Sequence, residues 1–117
     1  MKKIRYGIIG CGFFGSVHAQ ELVKMKNSEL ISVYSRSGES AKKLSQIVGC
    51  SYDLKLSNLV KRKDIDAIIV TSPNHLHRKP VTLAAKNKKH ILCEKPFSTS
   101  ISDAEEMIKV TKQNKVK

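Results

Sequence analysis

The chain has 117 residues, enough for one domain with a modest core, and 22 Lys and Arg against 10 Asp and Glu give it a formal charge of +12. It has no apolar run of about 18 residues to cross a membrane, and Arg5 and a glycine turn interrupt its apolar start, so neither a membrane span nor a signal peptide is expected. Three cysteines (Cys11, Cys50, Cys93), odd in number and without C-x-x-C spacing, argue against a disulfide framework and a zinc site and suit a reducing cytoplasm.

Ile4 to Ile9 reads as a short buried strand, and it breaks into Gly10-Cys11-Gly12-Phe13-Phe14-Gly15. This is G-x-G-x-x-G between a strand and a helical pattern, the setting of a dinucleotide-binding turn. Gly10 lets the strand turn sharply, Gly12 lets bare backbone approach a pyrophosphate, and Gly15 lets the next helix pack close. The helix start presents unpaired N–H groups and a positive dipole end to the phosphates. Phe14, Val17, Leu22 and Met25 are the expected apolar face of that helix.

Residues 29–34 read as a second strand. Ser37 then caps a helix whose apolar face is Ala41, Leu44 and Val48 and whose stop is Gly49. Cys50-Ser51-Tyr52 is a brief third strand, and 54–63 holds a short helix with Leu56, Leu59 and Val60 on one face. Asp66 to Thr71 is a continuous apolar run, as in a strand buried on both faces, and Ser72-Pro73-Asn74 ends it. A helix is expected from about His75 to Lys88, then a strand over 90–94 that Lys95-Pro96-Phe97 breaks. Ser102-Asp103-Ala104-Glu105 reads as a capping box for a last helix with Ala104, Met107, Ile108 and Thr111 on one face.

Strands alternating with helices predict an α/β fold: a doubly wound parallel sheet of the Rossmann type, with five strands in spatial order 3-2-1-4-5. A ligand then lies across the carboxyl ends of the strands, where the glycine turn, Ser72-Pro73-Asn74 and Glu94-Lys95-Pro96 all fall. The residue closing the second strand reads the adenosine ribose, and here Ser35-Arg36-Ser37 stands without a carboxylate. Two hydroxyls and a guanidinium suit a 2′-phosphate, so NADP is expected over NAD. The alternative is that Arg36 stacks on the adenine or points to water, with serine tolerating either cofactor. The charge raises a nucleic-acid hypothesis, but the lysines are spread over several predicted helix surfaces and no zinc finger or RNA-binding aromatic motif accompanies them. A solvated lysine-rich surface that favours a phosphorylated dinucleotide is the expectation, with no nucleic-acid or membrane partner and no metal site.

Asp66-Ala67-Ile68-Ile69-Val70-Thr71-Ser72-Pro73-Asn74-His75-Leu76-His77 resembles the D-A-V-x-I-x-T-P-N-x-x-H segment of the Gfo/Idh/MocA oxidoreductases, the glucose–fructose oxidoreductase and inositol dehydrogenase type. His90-Ile91-Leu92-Cys93-Glu94-Lys95-Pro96-Phe97 resembles that family's V-L-x-E-K-P signature. The resemblance covers essentially the whole chain. It implies that Gly10, Gly12, Phe13 and Phe14 surround the pyrophosphate and that Ser35 and Arg36 face the adenosine ribose. Ser72, Pro73, Asn74 and His77 would line the middle and nicotinamide side, Glu94 would sit by the nicotinamide ribose, and Lys95 would reach the reacting carbon as the catalytic residue. Thr71, Gly15 and Ser37 complete the expected cofactor-binding set. A cis peptide bond before Pro96 is also implied.

Family members are usually much longer, with a second domain that carries the substrate pocket. The expectation is therefore a cofactor-binding domain over 1–117 of an enzyme acting on a sugar, polyol or related substrate, with turnover needing a second domain or subunit. Two other readings share these residues. One is another oxidoreductase class, biliverdin reductase or dihydrodiol dehydrogenase, and the other is a free-standing dinucleotide sensor or partner subunit. An open edge on the fifth strand would invite a homo-oligomer.

Overall fold

The structure, a computed structural model, describes residues 2–73 and 76–117. Along the chain lie β1 (Ile4–Ile9), α1 (Phe13–Leu22), β2 (Ser28–Tyr34), α2 (Gly38–Val48), β3 (Ser51–Asp53), α3 (Leu56–Val60), β4 (Ala67–Val70), α4 (Arg78–Lys86), β5 (His90–Cys93) and α5 (Ile101–Gln113). The strands form one sheet in the order β3-β2-β1-β4-β5, every pair parallel. This is the expected Rossmann arrangement.

Successive residues of the central strands point to opposite faces and build two cores. Ile8 of β1, Val33 of β2 and Ile69 of β4 meet Ala19, Leu22, Ala41 and Leu44 of α1 and α2. On the other face, Ile9, Ile68 and Val70 meet Leu59, Val81, Ala84 and Met107 of α3, α4 and α5. Both faces of the middle strands are covered, which is why β4 reads as an unbroken apolar run.

Register places the site. Ile9 pairs with Tyr34 on one side and Val70 on the other, and Val70 pairs with Cys93, so β2, β1, β4 and β5 end in one row. The row continues for one residue beyond β1, β4 and β5. Gly10 N donates to the Tyr34 carbonyl at 2.8 Å, Thr71 N to that of Ile9 at 2.8 Å, and Glu94 N to that of Val70 at 2.9 Å. At the opposite end of the sheet, the Arg5 guanidinium clasps Asp66 through both carboxylate oxygens, at 2.9 and 3.1 Å. The buried Lys89 ammonium donates to the carbonyl of Ile65 there at 2.6 Å.

Three local expectations are corrected. The core side of α1 is Gly15, Ala19 and Leu22, while Phe14, Val17 and Met25 are 57%, 43% and 48% exposed. Small residues bring the helix axis close to the sheet, and that closeness leaves no room for larger side chains on the same side. The cap of α5 is Ser100, whose hydroxyl accepts from Asp103 N at 3.0 Å, so the helix begins before the Ser102 box. Its buried side is Met107 and Val110, with Ile108 half exposed. By contrast, Ser37 caps α2 by accepting from Ser40 N, and Gly49 closes it in the left-handed region at φ 77°.

The outer edge of β5 is not fully open. Ile91 N donates to the Lys117 carbonyl at 2.8 Å, and Lys117 N donates to His90 Nδ1 at 3.1 Å. No helix among the described residues is long and apolar enough to cross a membrane.

Candidate dinucleotide site

A cavity of about 760 Å³ runs along the carboxyl ends of the strands, over β2 and β1 to the start of the loop after β4. Gly10, Cys11, Gly12 and Phe14 line its middle, Tyr34, Ser35, Arg36, Ser37 and Ser40 one end, and Thr71, Ser72 and Pro73 the other side. Among the expected residues, Asn74 lies outside those the structure describes, as does His75.

The glycine turn has the geometry its sequence asks for. Gly10 sits at φ 103°, and a Cβ there would stand 2.6 Å from Ser72 N, so only glycine fits. A Cβ on Gly15 would run into the Gly10 carbonyl oxygen and stand 2.9 Å from Thr71 Oγ1. Gly12, the N-cap of α1, is different: nothing lies within 4 Å of a Cβ built on it. That empty space in front of an uncapped helix start is what a pyrophosphate requires, so the turn fits the group. Phe13 and Phe14 stack edge to face at 5.3 Å and stay exposed, Phe13 at 76%.

At the β2 end, Ser35 is half-buried while Arg36 and Ser37 face solvent. The hydroxyl of Ser37 is already engaged as the cap of α2, and Ser40, which the sequence did not flag, comes to the cavity from the first turn of the same helix. Arg36 also lines a smaller, mostly apolar cleft of about 260 Å³ with Leu76, Lys79 and Pro80.

On the far side, Thr71 Oγ1 donates to the Gly10 carbonyl at 2.7 Å. His77 is only 1% exposed and is not part of the cavity wall. Its Nε2 lies 2.8 Å from the Ser72 carbonyl and its Nδ1 3.1 Å from that of Phe97, with Cys93 Sγ at 3.4 Å from Nδ1. The ring thus lies between the loop after β4 and the loop after β5. Between them the Lys95–Pro96 peptide bond is cis.

Lys95 is exposed and Glu94 half-buried at the end of β5, beyond the cavity's lining. Glu94 Oε2 meets His18 Nε2 of α1 at 3.0 Å. That bond, helped by Lys95, holds the Glu94 carboxyl below the usual carboxylate range. Burial pushes the thiols of Cys11, Cys50 and Cys93 up to about 11, so none is poised as a nucleophile. No group of three or more His, Cys, Asp or Glu among the described residues is placed to hold a metal.

The family model for the oxidoreductase family with an NAD-binding Rossmann fold, Gfo/Idh/MocA, matches residues 4–117. The chain belongs to this family. The Gfo/Idh/MocA chain is 40% identical over 110 residues to the 2,7-anhydro-N-acetylneuraminate hydratase of Escherichia coli, covering 94% of this chain and 29% of that protein. It is 32% identical to the scyllo-inositol 2-dehydrogenase (NADP(+)) IolU of Bacillus subtilis, with 97% and 35% covered. A solved 3-ketoreductase from Actinomadura kijaniata, in complex with NADP, superposes with a TM-score of 0.91 at 28% identity, covering 98% of this chain and 37% of that one. The Gfo/Idh/MocA chain thus spans about a third of the length of these relatives.

Two contacts near the strand ends lie outside the expected set: Ser40 on the cavity wall and His18 against Glu94. Ser40 is within reach of sequence reasoning, because Ser37 reads as a helix cap and Ser40 falls in the first turn that it caps. His18 is not. Nothing in spacing links a helix residue to a carboxylate 76 positions later.

Proposed function

We propose that this chain is the NADP-binding domain of an oxidoreductase acting on a polyhydroxylated substrate, a sugar, polyol or sugar acid. The observation that carries this reading is the row of strand ends. A serine and arginine without a carboxylate stand at β2, an open Gly12 at β1, and Glu94-Lys95 at β5. The substrate class agrees with the printed names of the relatives, an anhydro-neuraminate for the Escherichia coli protein and scyllo-inositol for that of Bacillus subtilis.

In this reading Gly10, Gly12, Phe13, Phe14 and Gly15 form the turn against the pyrophosphate, whose charge meets the N–H groups at the start of α1. Ser35, Arg36, Ser37 and Ser40 hold the adenosine 2′-phosphate, the guanidinium giving a forked contact. Thr71, Ser72, Pro73 and Asn74 border the middle of the cofactor, and His77 sets their loop from behind. When bound, the nicotinamide supplies the hydride chemistry. Lys95 polarises the substrate oxygen and exchanges the proton there, while Glu94 accepts from a ribose hydroxyl. The substrate itself binds against residues outside this chain. Three free thiols suit a reducing, cytoplasmic setting.

Parallel titrations with NADPH and NADH, followed by nicotinamide fluorescence, test the reading, since the chain has no tryptophan to report. The expected result is tighter binding of NADPH. Binding of neither cofactor overturns the proposal, and equal binding overturns the choice of NADP.

A further inference from the structure

His18 is the one ionisable side chain of α1 that meets the end of β5. It sits in the second turn of a helix that starts at the glycine turn, and its ring reaches Glu94 Oε2 at 3.0 Å. Both side chains are 28% exposed, so the pair is partly shielded from water. The pair lies outside both cores, and α1 is seated on the sheet by Gly15, Ala19 and Leu22. The bond instead joins the two segments that the cofactor reading assigns to opposite parts of the dinucleotide, the pyrophosphate turn and the Glu94-Lys95 step.

We infer that His18 is a positioning residue for the nicotinamide half of the cofactor, acting through Glu94. The inference rests on the dinucleotide-binding reading above. A carboxylate offers about four acceptor positions, so a donor on Oε2 fixes the plane of the group and leaves capacity for ribose hydroxyls. Glu94 cannot swing toward the ammonium of Lys95, which follows it directly, while His18 holds it from the other side. Without the imidazole the carboxylate is drawn to Lys95, and both groups leave the places where the nicotinamide riboside and the substrate oxygen need them. The adenosine half, held at β2 some three strands away in the order β2-β1-β4-β5, does not feel the change.

The test separates the two halves of the ligand. NADPH is titrated against the unsubstituted chain, His18→Leu and His18→Gln, and adenosine 2′,5′-bisphosphate, which has no nicotinamide, is measured by calorimetry on the same proteins. His18→Leu should weaken NADPH about tenfold, the worth of one hydrogen bond to a charged group, and leave the bisphosphate within about twofold. His18→Gln, which keeps an N–H donor, should recover most of the loss. If His18→Leu does not fold, His18→Asn, whose shorter amide falls short of Glu94, carries the same comparison. Equal weakening of both ligands means a merely structural role and overturns the inference, as does NADPH binding unchanged by either variant. An unsubstituted chain that binds neither ligand overturns the cofactor reading and this inference with it.

Discussion

The Thr71 hydroxyl donates to the Gly10 carbonyl at 2.7 Å, and the backbone of Gly15 packs against that same carbonyl. The end of β4, the glycine turn and the first turn of α1 are therefore one compact joint. The tightness of this joint and the openness at Gly12 make the glycines of the turn separable by experiment.

Gly15→Ala forces a methyl into backbone, and the expected cost is about 1–3 kcal/mol or more, since overpacking at a rigid contact has nowhere to relax. Gly12→Ala meets nothing in the free protein and should leave the thermal midpoint unchanged. Its methyl nevertheless stands in the space assigned to the pyrophosphate, so NADPH binding should fall by about tenfold or more. Circular dichroism melting and a fluorescence titration on the two variants check both halves. A Gly12→Ala chain that binds as well as the original would move the pyrophosphate elsewhere.

The contrast between these glycines also shows what the sequence could and could not reveal. Strand order and the glycine turn were legible because each rests on local pattern and on crossover handedness. The packing face of α1 is not legible, because it is set by the small size of Gly15 and Ala19, and a periodicity of large residues does not register a gap. The family resemblance draws attention to His77, yet its burial between two carbonyls is not legible, since both are backbone groups and carry no residue signature. The His18–Glu94 pair lies further still from sequence pattern, as it spans α1 and β5 with β1 and β4 between their attachments.

His77→Leu should be destabilising although it preserves bulk. A neutral imidazole has one N–H, so one of the Ser72 and Phe97 carbonyls loses its donor beside a histidine that is 1% exposed, at a cost of about 1–3 kcal/mol if no water replaces it. The urea midpoint should fall, and the Cys93 thiol, which lies 3.4 Å from Nδ1, should become easier to label with a thiol reagent as the two loops part. A variant with the original midpoint and the original labelling rate would show that the loops hold together without the ring.

Arg36→Ala tests the choice of cofactor. A guanidinium on a 2′-phosphate makes a charge-assisted, forked contact that a free 2′-hydroxyl cannot match, so NADPH should weaken about tenfold or more while NADH changes little. The difference should shrink as salt rises, because Arg36 faces solvent and its field is screened. Equal weakening of both cofactors would instead place the guanidinium against the adenine, in the cleft it shares with Leu76 and Lys79.

Asp66 carries the clearest pH dependence. Its bonds from the Arg5 side chain, with the Arg5 backbone N–H at 2.9 Å and that residue's charge, bring its pKa from 3.8 down to about 2. A carboxylate whose folded value is depressed binds its proton more readily in the unfolded chain, so folding stability falls as protons are added. The contribution of this pair is complete above pH 3.8, declines below it, and is gone once the pH has passed through about 2. Both side chains are a third exposed, so salt should reduce the effect. Thermal midpoints of the original chain and Asp66→Asn, measured from pH 6 to pH 2, should differ most at the upper end and converge toward the lower. A gap that stays constant over that range would mean that Asp66 supports the β1–β4 end through shape and neutral hydrogen bonds, with its charge contributing nothing.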